Sequence, residues 1–236
     1  MTQWSHEKAN NWYGAQPFLI GCNFLPSSAS NQLEMFQAES FDEATLRREI
    51  GWAADLGFNS LRVYLHDLLI DEKGFFLRLD KVLDICAAHG IRPILVLFDD
   101  CHYGYPKRGP QKPPIKGIHN SRWKQSPGHH IARQINEGTG GAELARLENY
   151  VTAVFQHYGQ DDRILMWDIY NEPGQFGIGE ISKDLLLAVW QWAHALRPDQ
   201  PLTACIDGAI GDAHHQINRQ NSDALTFHMY EANRLE

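Results

Sequence analysis

The chain has 236 residues, 43% hydrophobic and 21% charged, enough apolar content to bury a domain-sized core. Its 29 Asp and Glu against 21 Lys and Arg give a net charge of −8. That balance speaks against nucleic acid or an anionic membrane surface as partner, and no apolar run of about 18 residues predicts a membrane-spanning helix. In chain order, Phe18 to Phe24 is a short apolar run that predicts strand one. Ser40 and Glu43 form an S-x-x-E capping box. Leu46, Ile50, Ala53 and Leu56 follow at near-helical spacing, with Gly57 as the stop. From Ser60 to His66, Leu61, Val63 and Leu65 alternate with Arg62, Tyr64 and His66, which predicts strand two.

Phe75 to His89 repeats the helical pattern, with Leu79, Leu83 and Cys86 on one stripe. Ile91 to Phe98 is almost wholly apolar, as expected of a strand covered on both faces. Ala142 to Tyr158 predicts a long helix, Arg163 to Tyr170 strand four, and Ile181 to Leu196 a helix closed by Pro198. Leu202 to Ile206 and Ala224 to Tyr230 predict strands five and six, with a short helical segment near 209–221 between them. Asp99 to Gly141 carries no clear periodicity and is rich in Pro, Gly and His. It follows strand three and contains Tyr103, Tyr105 and Trp123, so a substrate-covering loop is expected.

Strands alternating with helices imply βαβ units and a parallel α/β sheet. A closed (β/α)8 barrel and an open doubly wound sheet both fit this rhythm. No G-x-G-x-x-G follows a strand, which weakens the dinucleotide-binding sheet. Chemistry-bearing residues cluster just after the strands, at Asn23, His66-Asp67, Asp99-Asp100, Asn171-Glu172 and His228 to Tyr230. That placement is a habit of barrels. The four cysteines match no disulfide framework or zinc ribbon. Cys22, Cys86 and Cys205 lie in apolar runs and are expected to be buried, and Cys101 is expected to be the exposed one. Twelve histidines include the adjacent pairs His129-His130 and His214-His215, but no H-E-x-x-H is present. No metal and no cofactor are expected. Trp12, Trp123 and Trp167 are candidates to stack on sugar rings, whereas Trp52, Trp190 and Trp192 sit on helices and are expected to pack there.

The strongest motif is Trp167-Asp168-Ile169-Tyr170-Asn171-Glu172-Pro173, a strand with Asn-Glu-Pro at its tip. Pro173 disfavours a helical conformation for Glu172. A carboxyl group there, with its pKa raised by its surroundings, is what a glycosidase needs to protonate a leaving oxygen. The other reading of Glu172 is an ordinary acid at a helix start. Arg62 stands among apolar residues on its strand, and a buried guanidinium needs an anion, either in an active site or in the core.

Further segments read Gly21-Cys22-Asn23-Phe24-Leu25-Pro26, Asn31-Gln32-Leu33-Glu34-Met35, Arg62-Val63-Tyr64-Leu65-His66-Asp67 and Phe227-His228-Met229-Tyr230. With the Asn-Glu-Pro tip, the chain resembles the clan of (β/α)8 retaining glycoside hydrolases that includes the family-five cellulases and mannanases. Within that clan it is similar to a group labelled cellulase-like or xylanase-like. The resemblance runs over nearly the whole chain. It implies that Glu172 is the general acid/base and that Asn171 bonds the substrate 2-hydroxyl. It implies that Arg62 holds the nucleophilic carboxylate and that His228 and Tyr230 line the −1 subsite. Asn23, His66, Asp99 and Trp123 join these as substrate-binding candidates.

The clan's nucleophile is a glutamate after strand seven, and the chain ends at Glu236, just past strand six. Glu231 follows strand six but does not match the nucleophile's place. One partial (β/α)8 domain over 1–236, with strands one to six of eight and a long loop at about 99–141, is therefore expected, apparently truncated. Open sheet edges then invite self-association. The function implied is retaining hydrolysis of β-linked polysaccharide or oligosaccharide. The rivals are a non-catalytic carbohydrate-binding or inactive barrel fragment, and a metal-dependent hydrolase on the same barrel. The first twenty residues lack the basic and apolar regions of a secretory leader. A cytoplasmic location is expected if Met1 is the native start, and a secreted or periplasmic one if a leader has been removed.

Overall fold

The computed structural model describes residues 3–207 and 212–230. Its centre is a parallel sheet of six strands in sequence order: β1 (Gly21–Asn23), β2 (Ser60–Tyr64), β3 (Arg92–Asp99), β4 (Met166–Asn171), β5 (Leu202–Asp207) and β6 (Phe227–His228). Each strand pairs with the next, and helices α3 (Glu43–Asp55), α4 (Phe75–Ala88), α6 (Gly141–Tyr158) and α7 (Lys183–Leu196) form the connections. Strands wound in this order make an incomplete (β/α)8 barrel, as the sequence implies, and not a doubly wound sheet whose order would reverse.

The main core lies between the sheet and these helices. Leu61, Val63, Leu95, Leu97, Trp167 and Ile169 point outward from the strands into it, against Leu46, Ile50, Leu79, Leu83, Val151 and Val189. The interior side is more polar. Arg62, Tyr64 and Asp168 project there, with Tyr64, Val96 and Trp123 forming a small apolar cluster.

Several elements differ from the sequence reading, each for a local reason. β1 is only three residues long and fully exposed, with Phe18 84% exposed before it. Among the described residues it pairs with β2 alone, which makes it an edge strand. Gly21 is required there, because a Cβ would stand 2.0 Å from the Ser60 carbonyl oxygen. α3 is capped by Asp42, whose Oδ1 accepts from Thr45 N at 3.0 Å, whereas Ser40 donates to the Glu34 carbonyl. Leu56 and Trp52 are exposed, and Trp52 lies under the Arg48 guanidinium. Cys22 is exposed because it lies on β1, and Cys101 is half-buried.

The segment at 99–141 is largely irregular but ordered by its contacts. Antiparallel and parallel bridges tie Asp99 to Ser126 and Tyr103 to Lys124, and α5 (His129–Asn136) forms its last part. The segment also lies over α2 (Gln32–Phe36), with Gln32 Nε2 donating to the Lys124 carbonyl. An unforeseen helix, α1 (His6–Gly14), is capped by Ser5. It sits at the N-terminal ends of the strands, where Arg92 Nη1 donates to Gln16 at 3.2 Å and Trp4 N to Asp223 at 2.7 Å. Trp12 therefore stands at the opposite end of the barrel from the strand tips. The last helix, α8 (Asp212–Asn221), begins after residues outside those described, and Glu231 also lies outside them.

Candidate active site

The tip of β4 is where the strand chemistry concentrates. Glu172 follows the strand in the left-handed region, φ +45°, which is unfavourable for a residue with a Cβ. Pro173 excludes the ordinary helical alternative. The turn is fixed from below: Gly174 N donates to Asp100 Oδ2 at 2.8 Å and Gln175 N to the Glu172 carbonyl at 3.1 Å. Backbone held in this way is characteristic of functional turns.

The carboxylate of Glu172 is almost wholly buried and receives a hydrogen bond from His228 Nδ1. Burial pushes its pKa up, but His228 and the Cys101 thiol outweigh burial and hold it below the usual glutamate value. This reverses the elevation expected from the sequence. The groups facing Glu172 donate to its ionised form, and such donors favour the carboxylate.

Asn171 is locked at both ends of its amide. Its Oδ1 accepts from Arg62 Nη2 at 2.7 Å, and its Nδ2 donates to Asp99 Oδ1 at 2.7 Å. Arg62 finds its anion in Asp168 on β4: Nε donates to Asp168 Oδ2 at 3.2 Å, and Nη2 bonds the same oxygen. Nη1 reaches Asn23 Oδ1 at 3.3 Å and the Tyr64 hydroxyl. Cys205 N supplies Asp168 Oδ1 at 3.3 Å. Asp168 escaped notice as a partner, yet an acid inside an apolar strand was the signal, since a buried carboxylate must be paired.

Asp99 does not face the cavity directly. It orients Asn171 through Oδ1 and His102 through Oδ2, while His102 Nε2 lies 3.2 Å from Asn120 Nδ2. Beneath the turn, Asp100 accepts from the Tyr170 hydroxyl at 3.0 Å and from Gly174 N. Burial is the main cause that raises its pKa to about 7.

These groups surround a cavity of about 250 Å³ at the C-terminal ends of the strands. Of the residues singled out from sequence, Asn23, Asn171, Glu172, His228 and Tyr230 line it. Arg62 reaches it through Asn171 and Asn23. His66 and Trp123 do not line it. His66 is fully buried, with Nε2 2.9 Å from the Gln125 carbonyl, and it anchors the start of α5's segment. Trp123 packs edge-on behind Tyr64 and tilted behind His102, 4.9 Å from each ring. Trp167 is completely buried, and its indole N–H donates to Gln200 at 2.9 Å. Tyr64, His102, Asn120 and Phe176 line the cavity without having been named as binding residues. Their only signal was position: Tyr64 at the end of strand two, His102 and Asn120 in the segment after strand three, and Phe176 after strand four. Among the described residues, no group of three or more His, Cys, Asp or Glu is placed to hold a metal ion.

No protein-family model and no curated protein matches the chain. Solved structures do. An exo-β-1,4-mannosidase from Opitutaceae bacterium strain TAV5 superposes with a TM-score of 0.64 at 18% identity, over 90% of this chain and 38% of its own. A glycoside hydrolase family 5 mannosidase from Rhizomucor miehei gives 0.63 at 17%, over 91% and 58%. The likeness shows the fold, an incomplete (β/α)8 barrel. An endo-1,4-β-mannanase from Rhizomucor miehei gives 0.56 at 12%, over 92% of this chain and 68% of its own. The chain thus spans about two fifths to two thirds of the proteins it superposes on.

Proposed function

We propose that the chain forms part of a retaining glycoside hydrolase acting on β-linked oligosaccharide or polysaccharide, with Glu172 as general acid/base. The observation that carries this reading is the position of Glu172. Among the described residues it is the only carboxylate lining the cavity, and it stands on a strained turn beside an Asn171 amide clamped by Arg62 and Asp99. Asn171 has a fixed amide edge to offer a sugar hydroxyl. His228 and Tyr230 close the side toward β6, and Asn23 the side toward β1.

Double displacement requires a second carboxylate about 5–5.5 Å from the first. Such a group would also raise the pKa of Glu172, since a nearby like charge disfavours its ionisation. The lowered pKa of Glu172 fits its base role and becomes that of an acid when this second carboxylate is in place. The substrates to try first are β-1,4-linked mannosides, because the superposing enzymes are named as mannosidases and a mannanase.

A second reading, a carbohydrate-binding domain without turnover, is favoured by the absence of a second cavity carboxylate among the described residues. Dinitrophenyl β-mannoside and β-cellobioside, with unactivated oligosaccharides alongside, separate the two. In an enzyme with the second carboxylate in place, general acid catalysis contributes about 10²–10⁴-fold, so Glu172→Gln should cost that much on unactivated substrates. On the activated glycosides the first step should be spared, and azide should restore turnover and yield a β-glycosyl azide. Equal losses on both substrates without azide rescue would remove Glu172 from the mechanism. Sugar binding with no turnover even when a second carboxylate is in place would favour the second reading.

A further inference from the structure

Charge is distributed very unevenly along this acidic chain. Between Cys101 and Asn136 there are seven Lys or Arg and no Asp or Glu, although the whole chain carries 29 carboxylates. Among the described residues only Arg108 of these seven has a carboxylate partner, Glu72 at 3.6 Å. Three of the others, Lys112, Arg122 and Lys124, stand close to one another instead. Lys124 has its pKa lowered by burial and by the nearby charges of Arg122 and Lys112. Repulsion of this kind opposes folding unless an anion relieves it.

The same segment builds a second cavity of about 360 Å³ directly beside the first. The two share His102, Tyr103 and Phe176 in their walls, so they lie side by side. Tyr103 and Phe176 meet edge-to-face at 6.0 Å on this shared ridge. On the far side, His129, His130 and Arg133 line the cavity from one face of α5, and Tyr105 stacks on His130 with ring centroids 5.6 Å apart. No carboxylate lines this second cavity among the described residues, and Arg133 has no ion pair there. Burial lowers the pKa of His129, and Arg133 is exposed at the cavity.

We propose that this adjoining cavity is a subsite for an acidic sugar, with Arg133 receiving the carboxylate of a uronic acid residue and Tyr105 giving its ring a face. A guanidinium presents a planar fork that matches a carboxylate in two parallel hydrogen bonds, and a sugar ring stacks on exposed aromatic faces. An acidic glycan crossing the shared ridge from Glu172 is the ligand that uses both that carboxyl and Arg133, the one cation of the basic segment that lines the second cavity among the described residues. The inference rests on the glycoside hydrolase reading and narrows its substrate class to acidic glycans.

The test compares β-1,4-linked trisaccharides that differ only at C6: cellotriose against triglucuronate, and mannotriose against trimannuronate. Binding to the 236-residue chain is measured by calorimetry at low and high salt, for the unaltered protein and for Arg133→Gln. Arg133 is exposed, and matching melting curves establish that the variant folds. An oxidised trimer should bind at least tenfold more tightly than its neutral twin at low salt. The preference should shrink at high salt and vanish in Arg133→Gln. Equal affinities for the twins, or a preference that survives Arg133→Gln, would overturn the acidic subsite while leaving the hydrolase reading in place. Failure of every trisaccharide to bind would overturn both. Tighter binding of a uridylate hexamer than of either oxidised trimer would overturn the subsite in favour of a nucleic-acid ligand.

Discussion

Strands β2 to β4 and the outer strands β1 and β6 contribute to the same cavity under different physical conditions. In the centre, Asp168, Asn171, Asp99 and Glu172 are buried and each meets a defined partner on another strand or loop. At the outer strands, Asn23 is exposed, Tyr230 is 79% exposed, and Phe227 points its ring into solvent at 64% exposure. Each outer strand has one paired neighbour among the described residues. The difference teaches that the half of the cavity around Asn171 and Glu172 is set by buried polar pairs that reach across the barrel interior, from β2 and β3 to β4 and from the β4 tip to His228. The half at the outer strands is held by fewer contacts and depends on whatever covers those edges.

The largest effect should come from breaking the central pairs. Arg62→Met leaves Asp168 buried without its guanidinium, and breaking such a pair costs about 3–5 kcal/mol. Denaturant unfolding of the variant should show that loss. Arg62→Met combined with Asp168→Leu should recover a large part of it. A variant of Arg62 alone with unchanged stability would show that the centre is not organised by this pair. The sequence reading left open whether Arg62 serves the site or the core; its anion is the buried Asp168, and its Nη2 also bonds Asn171, which lines the cavity.

Asp100 gives a sharper probe of the centre, because its pKa is raised from 3.8 to about 7. Between those values the folded state holds a proton that the unfolded state has released. Stability should therefore fall as pH rises from about 4 to about 7, by at most about 1.4 kcal/mol per pH unit. Asp100→Asn should flatten that slope, as followed by unfolding at a series of pH values. Because Gly174 N donates to Asp100, the same series should show the fluorescence of labels near residue 176 changing in parallel. A slope unaltered in the Asn variant would assign the titration elsewhere.

The smallest and most concentration-dependent effect belongs to the outer strands. Unpaired edge groups and exposed Ile20, Phe227 and Met229 should make the chain self-associate at micromolar concentration in light scattering. Phe227→Lys should shift the mass toward monomer, because charged residues on an edge oppose strand pairing. A monodisperse monomer of the unaltered chain would show that the edges are protected, and the contrast between the two regions would then be weaker.

Much of the barrel was legible because its signal is periodic. Ile91 to Phe98 reads as a covered strand, and residues 92–99 form β3. The stripe Leu147, Val151 and Val154 marks α6, where all three are fully buried. The site was legible where residues follow strand ends, as at Asn171 and Glu172. Contacts that join distant segments left no local trace. Nothing near His66 in sequence announces the Gln125 carbonyl, and Asp99 sets Asn171 across 72 positions. Capping was misread because Ser40 and Asp42 are both good caps, and the backbone, not the residue type, chose between them. The direction of the Glu172 shift depended on donors from residues 101 and 228, which no local pattern could supply.

The left-handed backbone at Glu172 sets chemistry against fold in a way that bears on descent. Glycine reaches φ +45° without the Cβ conflict, and Asn visits this region more readily than Glu. A copy of this gene released from any need for a carboxylate at that tip would gain stability by exchanging Glu172 for either residue. Position 172 should then be among the earliest to drift, while Arg62 and Asp168, bound to each other by the cost of stranding a buried charge, persist. Inactive descendants of such a barrel would keep the scaffold of the site after losing its centre.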